Sequence, residues 1–369
     1  MYINLFLIPF IILLGLLLSS RDNKRTRGQF IIICSIVLLF FAVLRSPEWM
    51  TSQYGIDTLN YKEAFLSSFD IDWDVFLNLF NQRYFGGGSE DDIGYVGLMF
   101  VIGKLTHDFF VFSFLADLVF FIPFGIILYR FSTNITQLVF AFVFYVALLQ
   151  ISFLAGGRQS FAIGVDMMAL LAMFDGRKWR SLLFWLLGIT IHFSSLIFLA
   201  PLLLIMFNVR PIALKWAHGL CMLLIPITIL FPKQIILFMG NLSGIERYAQ
   251  YGLGSIQGGA LTFISLIEIL SLFCLIAIKK TDMQLNQTYR NFYVMVPLFT
   301  FFAPLIISNG SMIRISLYFH IYLVLLVPFA IECMFKGGNK RSIYFVTIGL
   351  LSFLALQGGG IEYYFFWQK

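Results

Sequence analysis

Long apolar runs recur along most of the chain, and they limit the possible folds more than any other feature. Apolar residues make up 60% of the 369 residues, mean hydropathy is +0.88, and only 12% of residues are charged. A soluble domain could not bury so much apolar surface, whereas runs of about 15–22 residues are typical of transmembrane helices. The sequence therefore predicts an all-α polytopic membrane protein, with residues 1–369 as a single membrane domain.

Basic residues between the runs predict the topology, because cytoplasmic loops are enriched in Lys and Arg. The basic clusters can all lie inside only if the run 179–208 crosses twice and turns near His192. The first half of that run reaches only about 20 Å of a roughly 30 Å hydrocarbon core, so we expect a broken or re-entrant helix there. The stretch 93–106 is expected to be interfacial or re-entrant. With 179–208 crossing twice, the apolar runs predict about twelve spans with both termini outside. The runs are 3–20, 30–44, 109–129, 135–154, 159–174, 179–208, 213–231, 260–278, 291–308, 312–334 and 342–357.

Two long segments, 45–92 and 232–259, are predicted to be extracytoplasmic loops. The first carries nine of the nineteen acidic residues, and both contain many aromatic residues. Aromatic faces beside carboxylates suit the apolar faces and hydroxyl edges of sugar rings, although interfacial anchoring explains some of them equally well. The candidate sugar contacts in these loops are Tyr61, Arg247 and Tyr248.

Three arginines lie at predicted outer helix ends, against the positive-inside bias. Arg158 follows two glycines in "FLAGGRQSFAIG", Arg314 follows an Asn-Gly turn, and Arg45 closes the second span. Each alone could be a snorkelling side chain. Together they indicate an anion site, because guanidinium groups bind phosphate oxygens bidentately and stay charged. A lipid phosphate or diphosphate is the expected anion, with Gln159 as a further predicted substrate contact.

His192 is the first candidate for a general base, because an imidazole can accept a hydroxyl proton near neutral pH. The alternative is a structural histidine bonded to Ser194 or Ser195. Asp57 is the second candidate, and it could instead orient an arginine. The acidic residues of "EDDIGY" (90–95) are interpreted as a helix N-cap.

Neither a metal nor a cofactor is expected. The four cysteines lack a CxxC partner, and "DIDWD" (70–74), although it contains a D-x-D triplet, is interpreted as a solvated acidic surface. Asp117, Asp166 and Glu268 fall within apolar runs and should face the bundle interior, since a charge in lipid is costly. The net charge of +6 reflects cytoplasmic helix ends rather than nucleic-acid binding.

The order of these motifs resembles the EpsG/Wzy-like family of membrane polysaccharide polymerases. The resemblance runs from about residue 44 to 330 and includes Arg45, "GIDTLNY", "EDDIGY", "GGRQSFAIG", "IHFSSLIFL" and "RISLYF". It implies a GT-C-like glycosyltransferase of the bacterial inner membrane with a periplasmic or outer active site. The implied substrates are glycans on undecaprenyl diphosphate, and a chain-length regulator and a flippase are implied partners.

Three other functions stay open at this point. An O-antigen ligase would use similar chemistry to transfer glycan to a lipid A core, and a membrane acyltransferase is a further enzyme. A flippase or other transporter should carry charges along a continuous path through the bundle. Here the charges collect on one face, and only Asp117, Asp166 and Glu268 are placed deep.

Overall fold

The computed structural model describes residues 3–47, 57–85, 92–243, 260–280, 287–307, 312–357 and 363–367, and most of these residues are helical. The first ten helices are α1 (Ile3–Ser19), α2 (Lys24–Val43), α3 (Thr58–Ser67), α4 (Trp73–Tyr84), α5 (Ile93–Gly103), α6 (Phe109–Phe131), α7 (Ile135–Phe144), α8 (Gln150–Ala155), α9 (Gly157–Phe174) and α10 (Lys178–Ile191). The others are α11 (Leu199–Met206), α12 (Pro211–Leu230), α13 (Pro232–Ser243), α14 (Ala260–Lys280), α15 (Gln287–Tyr293), α16 (Met295–Phe302), α17 (Ile313–His320), α18 (Leu323–Met334) and α19 (Gly337–Gln357).

Several of these helices could cross a membrane, as the apolar runs predict. Within the described residues, six helices are long and apolar enough to cross a membrane. The number is seven if α17 and α18, which are bent by 48° relative to each other, form one span. The six are Lys24–Val43, Phe109–Phe131, Ile135–Ala155, Pro211–Leu230, Ala260–Ile278 and Tyr289–Ile307. The predicted twelve spans and the GT-C-like arrangement are therefore not confirmed. One reason is helix length, since α10 has 14 residues and is only about 21 Å long, which is shorter than a hydrocarbon core of roughly 30 Å.

The chain forms two units by its internal contacts, residues 1–199 with 347–369 and residues 200–346. In the first unit α9 packs between α6 and α10, while α2 packs on α6 and α1 on α7. In the second unit α12 and α17 pack on α16, and α14 packs on α18. The single domain predicted from the sequence stays a prediction.

The first unit has two opposite ends. At the end that we call the basic end, Arg130 pairs with Asp175 at 2.6 Å, and Arg27 donates to the Ser132 carbonyl at 2.8 Å. At the opposite end, called the site end below, Arg45 Nη2 donates to the Leu154 carbonyl at 3.3 Å. Each of the helices α2, α6 and α9 therefore runs between the two ends.

The segment 45–92 contains structure of its own. Within it α3 and α4 are helices, and Phe65 of α3 stacks on Phe112 of α6 with ring centroids 4.7 Å apart. Phe65 belongs to a buried apolar cluster that also includes Tyr61 and Tyr95. Burial of such aromatic side chains contributes about 1.5–3 kcal/mol each. The described part of the predicted loop is therefore helical, and its helix α3 packs on the site end of the unit.

These ends give a testable topology. In a variant without native cysteines, Asn60→Cys and Lys178→Cys should react with a membrane-impermeant maleimide from opposite sides of the membrane. Asn60 is next to the site end and Lys178 begins α10 at the basic end, and both positions are exposed. Labelling of both cysteines from the same side would contradict the predicted orientation of the first unit.

Candidate active site

One carboxylate joins the two residues that the sequence singled out most strongly. Asp92 Oδ2 lies 3.0 Å from His192 Nδ1 and 3.3 Å from Arg158 Nη1, and its Oδ1 accepts from the Phe193 N–H at 3.3 Å. The Asp92 side chain is 10% exposed, whereas those of His192 and Arg158 are 21% and 30% exposed. The cluster is thus anchored at its carboxylate and accessible at its two basic groups.

Asp92 occupies the N-cap position of α5, as "EDDIGY" predicted, but its carboxylate has a different function. It makes no side-chain cap hydrogen bond to its own helix. Instead it reaches α9 and the end of α10. A close helix contact explains this reach, because a Cβ on Gly94 would lie 2.3 Å from Thr190 Oγ1 and 2.8 Å from the Thr190 carbonyl oxygen. Only glycine lets α5 approach α10 so closely, two residues from both Asp92 and His192.

Gly94→Ala should therefore lower activity by separating Asp92 from His192. Misplacement of a catalytic group by about 1 Å can cost on the order of 10² in rate, and we expect a loss of about that size. Gly349→Ala is the matched control, since a Cβ on this helical glycine would meet nothing within 4 Å. The measurement is polymer formed per folded protein, which assays the activity that the resemblance to the EpsG/Wzy-like family implies. Equal activity of the two variants would contradict the proposed role of this contact.

His192 lies where the helix breaks. Helix α10 ends at Ile191, His192 is extended at φ −155° and ψ 118°, and residues Phe193–Phe198 form a 3₁₀ helix. The Trp185 indole donates back to the Ser195 carbonyl at 3.1 Å. The segment after His192 thus folds back on α10, which exposes the imidazole at the break.

A buried pair holds this segment in place. Ser195 Oγ lies 2.8 and 2.7 Å from the two carboxylate oxygens of Asp166, and both residues are fully buried. Gly188 makes room for the pair, because a Cβ there would lie 2.6 Å from Ser195 Oγ. Asp166 therefore faces the interior of the unit, as predicted, and anchors the chain three residues beyond His192.

The predicted structural partners of His192 are not the main ones. Ser195 is engaged by Asp166, and Ser194 Oγ lies 3.4 Å from His192 Nε2, which is long for a hydrogen bond. The close contact is from Nδ1 to Asp92. If Nδ1 carries the proton and donates it to the carboxylate, Nε2 is left as a proton acceptor. This is the arrangement that a general base requires.

Arg158 is the second residue of α9, and its side chain lies between aromatic rings. Its guanidinium carbon lies 5.6 Å from the Tyr61 ring centroid and 5.9 Å from that of Tyr95, within cation–π range. Gly157 permits the first contact, because a Cβ there would lie 3.0 Å from the Tyr61 ring. The two tyrosines and Asp92 hold the planar guanidinium at a defined position, so Arg158 is not simply a side chain that extends to water.

Opposing effects decide the ionisation of Asp92. Burial alone would raise the pKa of this carboxyl, but the hydrogen bond and charge of His192, the charge of Arg158 and the Phe193 N–H hold the pKa below its usual range. Asp92 is therefore a carboxylate at neutral pH. Its contribution to stability is present above the unfolded-state pKa and is lost as the pH falls through the lower folded-state value.

Arg45 and Asp57 lie at the same end but serve packing contacts. Arg45 is buried at 7% exposure, and its guanidinium donates to the carbonyls of Ala42 and Leu154 and to Thr58 Oγ1. The Asp57 N–H donates to the Ala155 carbonyl at 3.3 Å, three residues before Arg158. These bonds tie the ends of α2 and α8 to the start of α3. The predicted substrate roles of both residues stay predictions.

The other predicted residues are placed differently. Gln159 is buried at 3% exposure, with its Oε1 beside Gly156. Arg314 lies in α17 of the second unit. Arg247 and Tyr248 lie outside the described residues. Their roles as ligands stay predictions.

Sequence reasoning missed Asp92 and Tyr95 as site residues. Both are in "EDDIGY", and the signal that could have found them is the glycine between them, which marks a close helix approach beside an acidic residue. Among the described residues, no group of three or more His, Cys, Asp or Glu side chains could hold a metal ion.

The apolar helices and the ionisable cluster at one end of the first unit define a polytopic membrane protein with a candidate site among its helix ends. Residues 31–357 match the model of the EpsG family, so the chain belongs to that family. Comparison with curated proteins and with solved structures finds no match. Membership of the EpsG family suggests a polysaccharide polymerase-type role.

Proposed function

We propose that this protein polymerises oligosaccharide repeat units carried on undecaprenyl diphosphate, at the periplasmic or outer face of the bacterial inner membrane. The observation that carries the proposal is the Asp92–His192–Arg158 cluster in a member of the EpsG family. The cluster places a proton acceptor beside a planar cation, both partly exposed. Glycosyl transfer from a diphosphate donor can use a base for the acceptor hydroxyl and a cation for the leaving diphosphate.

The reaction follows from these positions. The acceptor hydroxyl of one lipid-linked unit attacks the anomeric carbon of the other, and its proton goes to His192 Nε2. As the new glycosidic bond forms, the bond to the diphosphate breaks, and undecaprenyl diphosphate leaves with increased negative charge. Arg158 stabilises that charge, and a single such donor typically contributes on the order of 10²–10³ in rate. The base contributes roughly 10²–10⁴.

Asp92 has two functions in this scheme. It orients the imidazole through Nδ1 and holds the guanidinium through Nη1, so one carboxylate fixes the base and the anion ligand relative to each other. Its negative charge also stabilises the imidazolium that forms when His192 accepts the proton. Arg314, the second predicted diphosphate ligand, stays a prediction of the sequence.

The decisive assay is incubation of the purified protein with a lipid-linked repeat unit, followed by separation of the products on a gel. A ladder of glycans on the lipid supports a polymerase. When a lipid A core is added as acceptor, transfer of a single unit to it without a ladder would identify a ligase instead. Movement of intact lipid-linked units across liposome membranes without new glycosidic bonds would identify a transporter.

Polymerisation should continue in EDTA, because guanidinium groups take the charge-neutralising role. Asp70, Asp72 and Asp74, at the start of α4, are interpreted as solvated surface and do not form a group that could hold a metal ion. The measurement is ladder length with and without chelator. Loss of activity in EDTA and its return with Mg²⁺ or Mn²⁺ would contradict a metal-independent reaction.

A further inference from the structure

An apolar groove runs along the outside of α2 and α6 in the first unit, away from the candidate active site. Its volume is about 630 Å³, within the range of roughly 300–1,000 Å³ of ligand pockets. Apolar side chains form nearly all of its walls, including Ile32, Ile36, Ile122 and Ile126, which are 46–60% exposed. The groove lies within two helices that pass as membrane spans, so its surroundings are apolar.

Two glycines, one on each helix, shape this groove. A Cβ on Gly125 would lie 3.2 Å from Ile31 Cγ2, and a Cβ on Gly28 would lie 3.3 Å from the Tyr129 ring. The lining on α2 extends from Lys24 to Leu39, which corresponds to about 22 Å of helix. This length exceeds half of a roughly 30 Å hydrocarbon core, so an acyl chain of one leaflet fits along it.

The mouth of the groove carries positive charge and no acidic side chain. Lys24 and Arg25 line it at the basic end, both are exposed, and no Asp or Glu is among the lining residues. Lys24 Nζ lies 5.4 Å from the Tyr129 ring centroid, which places a cation above an aromatic ring. Asp22 is close in sequence, but its carboxylate contacts Arg27 and the Ile135 N–H. The cations of the mouth are therefore available to an anion.

We propose that this groove binds a phospholipid with an anionic headgroup, its acyl chain along α2 and α6 and its phosphate at Lys24 and Arg25. The charge of the mouth selects the headgroup and the apolar length selects the chain. Basic residues beside apolar helix surfaces attract anionic lipid, each by a factor of about five in affinity. This lipid is distinct from the lipid-linked substrate, because the mouth lies at the end of the unit opposite Asp92.

Native mass spectrometry of the full-length protein in detergent tests the proposal. The probes are phosphatidylglycerol and phosphatidylcholine with identical acyl chains, and we expect the anionic lipid to bind at least about tenfold more tightly. The double substitution Lys24→Ala with Arg25→Ala should weaken phosphatidylglycerol binding roughly 30-fold. The control is Lys178→Ala with Arg180→Ala, which removes the same charge at the same end outside the groove. Equal affinity for the two lipids, or equal effects of the two double variants, would overturn the proposal.

Two further measurements use the wild-type protein, so they test the proposal even if a variant folds poorly. Wild-type binding of phosphatidylglycerol should fall as salt is added, while that of phosphatidylcholine should not, because salt screens the headgroup contact. Glycerol 3-phosphate, which offers the phosphate without the chain, should not compete at equal concentration. Equal competition would show a free-phosphate site and contradict a lipid site.

Discussion

Arg158→Lys is expected to abolish long polysaccharide chains while the protein still inserts and accumulates normally. Lysine keeps the charge, but it cannot form the two parallel hydrogen bonds with which a guanidinium grips a diphosphate. It also lacks the guanidinium that lies 5.6 and 5.9 Å from the Tyr61 and Tyr95 ring centroids, so the cation–π contacts that fix the cation change. The measurement is the polysaccharide ladder from cells that express each variant at equal level. In cells that ligate glycan to a lipid A core, Arg158→Lys should leave a single repeat unit on that core.

The control for this result is Lys104→Ala. Lys104 is exposed and lies over Phe100 at the end of α5, so its loss removes a cation without touching the cluster. That variant should give the wild-type ladder. Arg314→Lys should give the Arg158→Lys result if the sequence prediction for Arg314 is correct. A wild-type ladder from Arg158→Lys would contradict the diphosphate role.

Asp92→Asn is expected to lower activity by about 10²–10⁴, the contribution that a general base typically makes. The amide has nearly the shape of the carboxylate, but it carries no charge and can donate where the carboxylate only accepts. It can therefore hold the wrong tautomer of His192, with the proton on Nε2, and it no longer offsets the imidazolium charge. Initial rates with purified lipid-linked substrate measure the effect.

Two comparisons separate this role from a loss of stability. Breaking the hydrogen bonds of Asp92 should cost about 1–3 kcal/mol, so the folded fraction of each variant is measured first. Asp72→Asn alters an acidic residue at the start of α4 and should leave the rate unchanged. His192→Gln should reduce the rate about as much as Asp92→Asn, and the double variant should be little worse than either, because the residues act as a unit. Additive losses would argue against a shared function.

The membrane class and the helical fold could be predicted from the sequence, because apolar runs report directly on the surrounding lipid. The break at His192 could also be predicted, since the run 179–208 is too long for one span and too short for two full ones. The count of twelve spans was not confirmed. The prediction assumed that every apolar run crosses and that 179–208 crosses twice, whereas the two α-helices of that run, α10 and α11, have only 14 and 8 residues.

Amino-acid sequence alone also determined two members of the candidate site. Arg158 is a cation after paired glycines, and His192 is an imidazole inside an apolar run. A polar group in apolar surroundings is costly, and this cost can be recognised from the neighbouring residues alone. Asp92 was visible only as a helix cap, because an N-cap is a local property. Its contacts with His192 and Arg158 lie 100 and 66 residues away along the chain. Only the tertiary structure decided them, since they depend on the close approach of α5 to α10 at Gly94 and on the packing of α3, which places Tyr61 against Arg158.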